Sequence, residues 1–118
     1  GVIDLPTDAR EALTALLTFE ALPSPETVLE RATAIAELAA INASAEDRED
    51  RAGGFTLEAM IGGAPWLMNP LERALRMQGI APVYAFTRRE VVERPGADGT
   101  VAKTAVFRHL GFISAVED

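Results

Sequence analysis

The chain has 118 residues, of which 48% are hydrophobic and 25% are charged, a composition typical of one folded domain rather than a disordered segment. It contains no cysteine and one histidine, His109. Disulfides, cysteine metal sites and histidine metal clusters within one chain are therefore excluded. The lack of cysteine, of a membrane-length apolar run and of a signal-peptide pattern predicts a cytoplasmic protein with no membrane partner.

The net charge of −7 is unevenly distributed along the sequence. Residues 1–70 contain four arginines against twelve acidic residues, whereas residues 71–113 contain seven basic residues against four acidic ones. An acidic body repels long nucleic acid, but a local basic segment can still hold a small anion. The charge pattern therefore argues against long DNA or RNA as a partner and favours small phosphate ligands.

The first half of the chain predicts one short strand and two helices. Apolar residues predict the strand at residues 2–5. Thr7 or Asp8 is predicted to cap the first helix, and Asp8 and Glu11 have capping-box spacing. Ser24 as N-cap and Pro25 at the first helical position predict the second. The charge-rich segment 42–54 is predicted to be an exposed loop or a frayed helix, with a partner-binding segment as the alternative.

The middle of the chain predicts a strand, a helix and a second strand. Large residues alternate over residues 55–61, and the glycine pair 62–63 predicts a tight turn after them. Asn69 is predicted to cap a helix that Gly79 ends, after an irregular or helical first turn at residues 64–68. Residues 82–86 are apolar on both faces, which is typical of a buried strand in a parallel sheet. This order predicts a βαβ unit.

The C-terminal third predicts a β-hairpin, because Asp98-Gly99 lies between two runs of strand-forming residues. A two-residue turn places Arg89 opposite Arg108, and such a like-charge pair destabilises a hairpin unless it splays into solvent or shares an anion. A five-residue loop over residues 95–99 instead places Arg108 opposite Phe86. The sequence leaves both registers open.

The full pattern predicts a single α/β domain with a Rossmann-like, mostly parallel sheet, helices on its faces and an antiparallel C-terminal β-hairpin. In open α/β sheets, ligands bind at the carboxyl ends of the parallel strands. Gly62 and Gly63 follow the first strand of the βαβ unit, and Thr87, Arg88 and Arg89 follow its second. Glycine lets the backbone approach an anion, and arginine offers forked donors to phosphate oxygens. We therefore predict a phosphodiester site there, with a purely structural turn as the alternative.

The sequence contains no serine triad, carboxylate pair or metal motif, so the predicted chemistry needs no metal or cofactor. Phosphodiester cleavage then depends on positioning a ribose hydroxyl in line with its own phosphate while cations stabilise the developing charge. In this hypothesis Thr87 orients the hydroxyl, Arg89 and Arg108 hold the phosphate, and His109 or Lys103 assists proton transfer.

Each of these assignments has a plainer alternative. Arg88 and Lys103 are also typical of a solvated hairpin face, and His109 of a packed or surface strand residue. Trp66 is interpreted as a packing residue, with stacking on a base as its alternative role.

The C-terminal half resembles the end of a family of small CRISPR-associated Csx-type proteins. The resemblance lies in the order and spacing of residues 79–85, 84–93, 98–101 and 106–109, and it covers roughly residues 60–112. It implies a Rossmann-like fold and the binding of cyclic oligoadenylate messengers, including ring-nuclease cleavage. A homodimer is also expected, because a two-fold ligand suits a two-fold interface.

Gly63, Arg88 and Gly111 depart from the residues usual in that family. The resemblance therefore implies membership of the family more directly than it implies catalysis. The family also opens with an earlier strand and helix, so residues 1–118 are expected to be one domain that lacks its first strand-helix unit. Three interpretations remain open: a metal-independent ring nuclease, a non-catalytic module that senses or sequesters a nucleotide, and a small structural dimer whose hairpin mediates association.

Overall fold

The computed structural model describes residues 1–44, 47 and 57–116. Its helices are α1 (Thr7–Leu17), α2 (Pro25–Asn42) and α3 (Pro65–Met77), and its strands are β1 (Glu58–Met60), β2 (Ala81–Pro95) and β3 (Val101–Ser114). The sheet order is β1-β2-β3, with β1 parallel and β3 antiparallel to β2. No helix in these described ranges is long and apolar enough to cross a membrane.

The prediction of a Rossmann-like, mostly parallel sheet is wrong. Parallel pairing joins only residues 58–60 to residues 81–83, whereas the antiparallel pairing of β2 with β3 extends from Val83 to Pro95. The described part is an α/β fold with three helices and a small mixed sheet. Charged residues occupy the consecutive positions 88–90, and since side chains alternate along a strand, both faces there are charged and unsuited to cover by helices.

The N-terminal elements follow the sequence signals in part. The Ser24 hydroxyl accepts a hydrogen bond from the Thr27 amide at 3.2 Å, which confirms the predicted cap of α2. The predicted cap at Thr7 or Asp8 is wrong, because α1 begins at Thr7, directly after Pro6, without a side-chain cap. The predicted strand over residues 2–5 is reduced to one parallel bridge between Val2 and Glu58. Most of the predicted loop over 42–54 lies outside the described residues.

The helix α3 begins before the predicted cap at Asn69, within the segment 64–68 that the sequence predicts to be an irregular or helical first turn. Pro65 occupies its first turn, and Pro70, predicted to start the helix, lies inside it. A proline inside a helix removes one backbone hydrogen bond. The helix continues nevertheless, because Leu67, Leu71 and Leu75 recur every four residues and are all buried on one side.

The end of α3 agrees with the sequence prediction. Gly79 adopts a positive φ of 75°, which glycine tolerates without a side-chain clash. The Gly79 amide donates to the Arg76 carbonyl at 3.0 Å, and the Ile80 amide donates to the Leu75 carbonyl at 2.9 Å. This Schellman arrangement satisfies the last helical carbonyls and directs buried Ile80 toward β2.

The core lies between α2, α3 and the start of the sheet. The small residues Ala32, Ala36 and Ala39 let α2 approach the leucines of α3 closely, and Leu57 and Ile80 complete the buried cluster. Burial then ends abruptly along β2. Val83 is buried, Tyr84 is half-buried, and no residue from 85 to 114 is buried.

One side-chain hydrogen bond fastens β2 to α3. The Tyr84 hydroxyl donates to the Glu72 carboxylate at 3.3 Å. Burial, followed by the nearby Glu72 carboxylate, raises the pKa of Tyr84, so the phenol keeps its proton and remains a donor at neutral pH.

A five-residue loop, residues 96–100, closes the hairpin, since Pro95 pairs with Val101. The Asp98 carboxylate accepts from the Thr100 hydroxyl at 2.6 Å and from the Thr100 amide at 3.2 Å. These two bonds, the hydroxyl first, lower the pKa of Asp98 below its ordinary value of 3.8. Gly99 supplies the positive φ of 84° that the loop requires.

We expect acid to loosen this loop. Because the folded pKa of Asp98 is lowered, its contribution to stability is fully present above pH 3.8 and is lost as pH falls through the folded value. An NMR titration of the Asp98 carboxyl group should give a midpoint below 3.8. Thr100→Val should raise that midpoint, whereas the control Thr104→Val, elsewhere on β3, should leave it unchanged. A Thr100→Val midpoint equal to that of the wild type would contradict this account.

Candidate functional site

All four predicted catalytic residues lie in the arm, defined as residues 87–109. Pairing with β1 ends at Val83, but β2 continues to Pro95, about 40 Å further at roughly 3.4 Å per residue. The arm is thus a two-stranded ribbon that projects from the helical body. The molecule is correspondingly elongated, with a longest dimension of 57 Å.

The register of the arm differs from both predicted alternatives. Arg88 pairs with Arg108, and Thr87 pairs with His109. The loop comprises residues 96–100, and the Gly96 amide donates to the Thr100 carbonyl at 2.6 Å. At the base of the arm, the register shifts between Phe86 and Thr87, so that Leu110 has no partner on β2. This extra residue forms a β-bulge.

Glu90 offsets the repulsion between Arg88 and Arg108, which this register places opposite each other. Its Oε1 accepts from the Arg88 guanidinium at 2.6 Å, and its Oε2 lies 3.4 Å from Nη2 of Arg108. One carboxylate therefore bridges two guanidiniums and leaves one positive charge in excess. Both arginine side chains are mostly exposed, so solvent screens the attraction.

Side-chain alternation divides the predicted site between two faces of the arm. We name the first the Val91 face; it bears Thr87, Arg89, Val91, Glu93, Pro95, Val101, Lys103, Ala105, Phe107 and His109. We name the second the Arg108 face; it bears Arg88, Glu90, Val92, Arg94, Ala102, Thr104, Val106 and Arg108. Arg89 and Arg108, both predicted to hold one phosphate, point in opposite directions.

The Val91 face keeps three of the four predicted catalytic residues together. Thr87 and His109 form a cross-strand pair, and Arg89 is on the same side of β2. The His109 ring contacts Phe112 edge-on, with centroids 4.9 Å apart. No described residue forms an ion pair or side-chain hydrogen bond with Arg89. Its guanidinium is therefore available to an external group.

The glycine turn does not join this face. The Ile61 amide donates to the Val83 carbonyl at 2.9 Å, so Gly62 and Gly63 lie near the level of Val83. Arg89 is about 20 Å further along β2 at 3.4 Å per residue. That separation exceeds the reach of one arginine side chain to a small anion at the turn. The structure does not form the single crevice that the sequence predicted.

Trp66 lies on α3 and packs on the body instead of the arm. Its ring contacts Phe19 in a T-shaped arrangement with centroids 5.0 Å apart. The Arg31 guanidinium stacks 4.8 Å from the Phe19 centroid and donates to three carbonyl oxygens at the end of α1. Trp66 thereby helps to fasten α1 to α2 and α3, while its side chain is 50% exposed. Packing and stacking on a base both stay predictions for this residue.

The exposed apolar side chains of the arm are a feature that the sequence analysis missed. Val91, Val101 and Phe107 are 59%, 60% and 71% exposed and share the Val91 face. The sequence already places Val91 between Arg89 and Glu93 on one side of β2. The residues of β3 that share this side could not be assigned, because that assignment requires the cross-strand register.

An apolar cavity of about 490 Å³ was also missed. It lies between the N-terminal segment, α1, α2 and the sheet, and its lining includes Ile3, Leu13, Ile35, Ile61 and Phe112. The exposed ion pair between Arg10 and Asp4, 2.7 Å apart, lies at its edge. The described ranges contain no group of three acidic, histidine or cysteine residues suited to a metal ion.

Comparison with known proteins gives a family but no activity. Residues 1–113 match the model of the uncharacterized protein MJ1673 family, and the chain belongs to that family. No curated protein and no solved structure matches the chain significantly. The family description names no ligand, so the resemblance to Csx-type proteins stays a prediction.

We expect Glu90→Gln to destabilise the arm, because it leaves two guanidiniums opposite each other without their shared carboxylate. The loss should be roughly 0.5–1 kcal/mol at low salt and smaller at high salt. Amide hydrogen exchange of β2 and β3 measures it directly. The control is Glu37→Gln, which removes an exposed carboxylate on α2, away from the arm. Equal losses in the two variants would show that the bridge contributes nothing particular.

Proposed function

We propose that this member of the MJ1673 family acts as a self-associating protein whose arm joins two copies into a homodimer. The observation that supports the proposal is the amount of surface left exposed. The chain has an accessible surface of 8363 Å², whereas a compact monomer of 12.6 kDa exposes about 6,200 Å². The difference is about 2,200 Å² per chain.

This difference matches the size of a permanent interface. Obligate homodimers bury roughly 2,000–5,000 Å² in total, or about 1,000–2,500 Å² from each chain. The shape agrees with the area, since the radius of gyration is 18.2 Å against about 13.5 Å for a compact domain of this length. A dimer that covers one face of each arm removes part of this excess.

The composition of the arm also favours a partner. A two-stranded ribbon without a buried face is marginally stable alone in water. The arm nevertheless carries Val91, Val101 and Phe107 in exposed positions, and β3 leaves a long edge unpaired among the described strands. Natural sheets usually cover such edges and apolar faces. A second copy supplies cover of matching length.

We expect Phe107→Asp to convert the dimer into a monomer, because the substitution places a charge in the apolar centre of the contact. Sedimentation equilibrium and light scattering measure the change in mass. Met77→Asp is the control, since Met77 is an exposed apolar residue on α3 with 88% of its surface free. Circular dichroism should show both variants folded. A wild-type protein that is monomeric at every concentration would overturn the proposal.

A second proposal retains the nucleotide ligand: a cytoplasmic CRISPR-accessory protein that binds cyclic oligoadenylate and cleaves it without metal. The observation that favours it is the exposed group Thr87, Arg89 and His109 on the Val91 face, where Arg89 has no described partner. Arginine suits phosphate oxygens, and histidine suits proton transfer near neutral pH. Arg108 lies on the other face and is assigned no part in this proposal.

The test of this second proposal is incubation with labelled cyclic tetra-adenylate in the absence of metal. We expect binding by the wild type and weaker binding by Arg89→Ala, with an unchanged melting temperature because Arg89 is exposed. Arg94→Ala, on the opposite face, is the control. Linear product identifies a ring nuclease, and an intact bound ring identifies a sensor. The absence of binding at low salt would reject both.

A further inference from the structure

We infer that the two copies pack through their Val91 faces, antiparallel to each other, with a two-fold axis passing beside Val91 and Ala105. This inference rests on the dimer proposed above and specifies its contact. It follows from the rows of cross-strand pairs along the arm. From base to tip, the Val91 face presents five pairs: Thr87 with His109, Arg89 with Phe107, Val91 with Ala105, Glu93 with Lys103 and Pro95 with Val101.

Charge distinguishes the two faces of the arm. The Arg108 face bears three arginines, at positions 88, 94 and 108, and one acidic residue, Glu90. Two such faces repel each other when stacked. The Val91 face bears Arg89, Lys103 and Glu93, and its remaining positions include the most exposed apolar side chains of the arm. The Val91 face is therefore the one suited to a like surface.

The order of residues on the Val91 face makes it self-complementary. Arg89 is two positions on one side of Val91, and Glu93 is two positions on the other. A two-fold axis beside Val91 exchanges these positions, so Arg89 meets the partner's Glu93 and Glu93 meets the partner's Arg89. Packed sheets are separated by about 10 Å, a gap that these long side chains span.

The same axis brings the apolar groups together. Val91 lies against the partner's Val91, and Phe107 lies against the aliphatic stem of the partner's Lys103. The outer rows place Thr87 and His109 over the partner's Pro95 and Val101. Each arm thus supplies an apolar centre with charged groups beside it, as protein interfaces usually do.

The acidic body determines the relative direction of the two arms. Residues 1–70 contain eight more acidic than basic residues. Parallel arms place the two bodies side by side, where their charges repel. Antiparallel arms place the bodies at opposite ends of the paired ribbons. The antiparallel arrangement is also the one that pairs Arg89 with Glu93, so two independent charge arguments agree.

The test is charge reversal, measured as the dimer dissociation constant by sedimentation equilibrium. Arg89→Glu and Glu93→Arg should each weaken the dimer by about tenfold or more, because the two-fold axis repeats every repulsive contact. The double variant Arg89→Glu/Glu93→Arg should recover most of the lost affinity, the remainder being the repulsion between the substituted position 93 and Lys103 opposite it. Arg94→Glu, the same charge change on the opposite face, is the control and should not weaken the dimer.

The outcomes separate this inference from the dimer proposal. A monomeric wild type overturns both. A wild-type dimer that neither single reversal weakens shows association through another surface, such as the free edge of β3, and overturns only the inference. Weakening by both single variants without recovery in the double variant rejects the antiparallel pairing. Thermal melts of each variant, monitored by circular dichroism, establish that loss of the dimer is not loss of the fold.

Discussion

The short length of β1 is the constraint on which the rest of this structure depends. Its described pairing with β2 ends at Val83, and burial of β2 ends at nearly the same point. Up to that point the sheet has helices packed against it and contains the buried residues of the core. Beyond Tyr84, whose hydroxyl still donates to Glu72 of α3, β2 and β3 pair only with each other among the described strands. In the arm, the backbone hydrogen bonds between them hold a ribbon with two exposed faces.

The end of the β1–β2 pairing at Val83 explains which of the predicted site residues lie close to one another. The parallel register sets Met60 opposite Val83, so the turn at Gly62 lies at the start of β2 and not beside Arg89, where the sequence analysis expected it. Because β1 stops, the glycine turn belongs to the body and the cations belong to the arm. On the arm itself, the alternation of side chains places Arg88 and Arg108 beside Glu90, and places Arg89 among apolar neighbours. Residues adjacent in the sequence, such as Arg88 and Arg89, therefore belong to different faces of the arm.

Sequence reasoning succeeded where a structure depends on a few adjacent residues. The Ser24 cap, the Gly79 helix end and the hairpin around Asp98-Gly99 are all of this kind. It failed at α3, where the local signal at Asn69 competed with burial of the leucines on one helix face. It also failed for the sheet type and the arm register, because these depend on how far β1 extends and on the length of one loop. The division of the candidate site follows from that register and was equally inaccessible.

The bulge at Leu110 has a geometric consequence for any assembly built on the arm. A bulge increases the right-handed twist of a strand pair, and this one lies where the arm leaves the body, next to Gly111 with its φ of 152°. It therefore sets the angle between the plane of the ribbon and the helices. Deleting Leu110 would keep the cross-strand partners of the arm yet change its angle to the helices, and in a homodimer the change would occur in both copies.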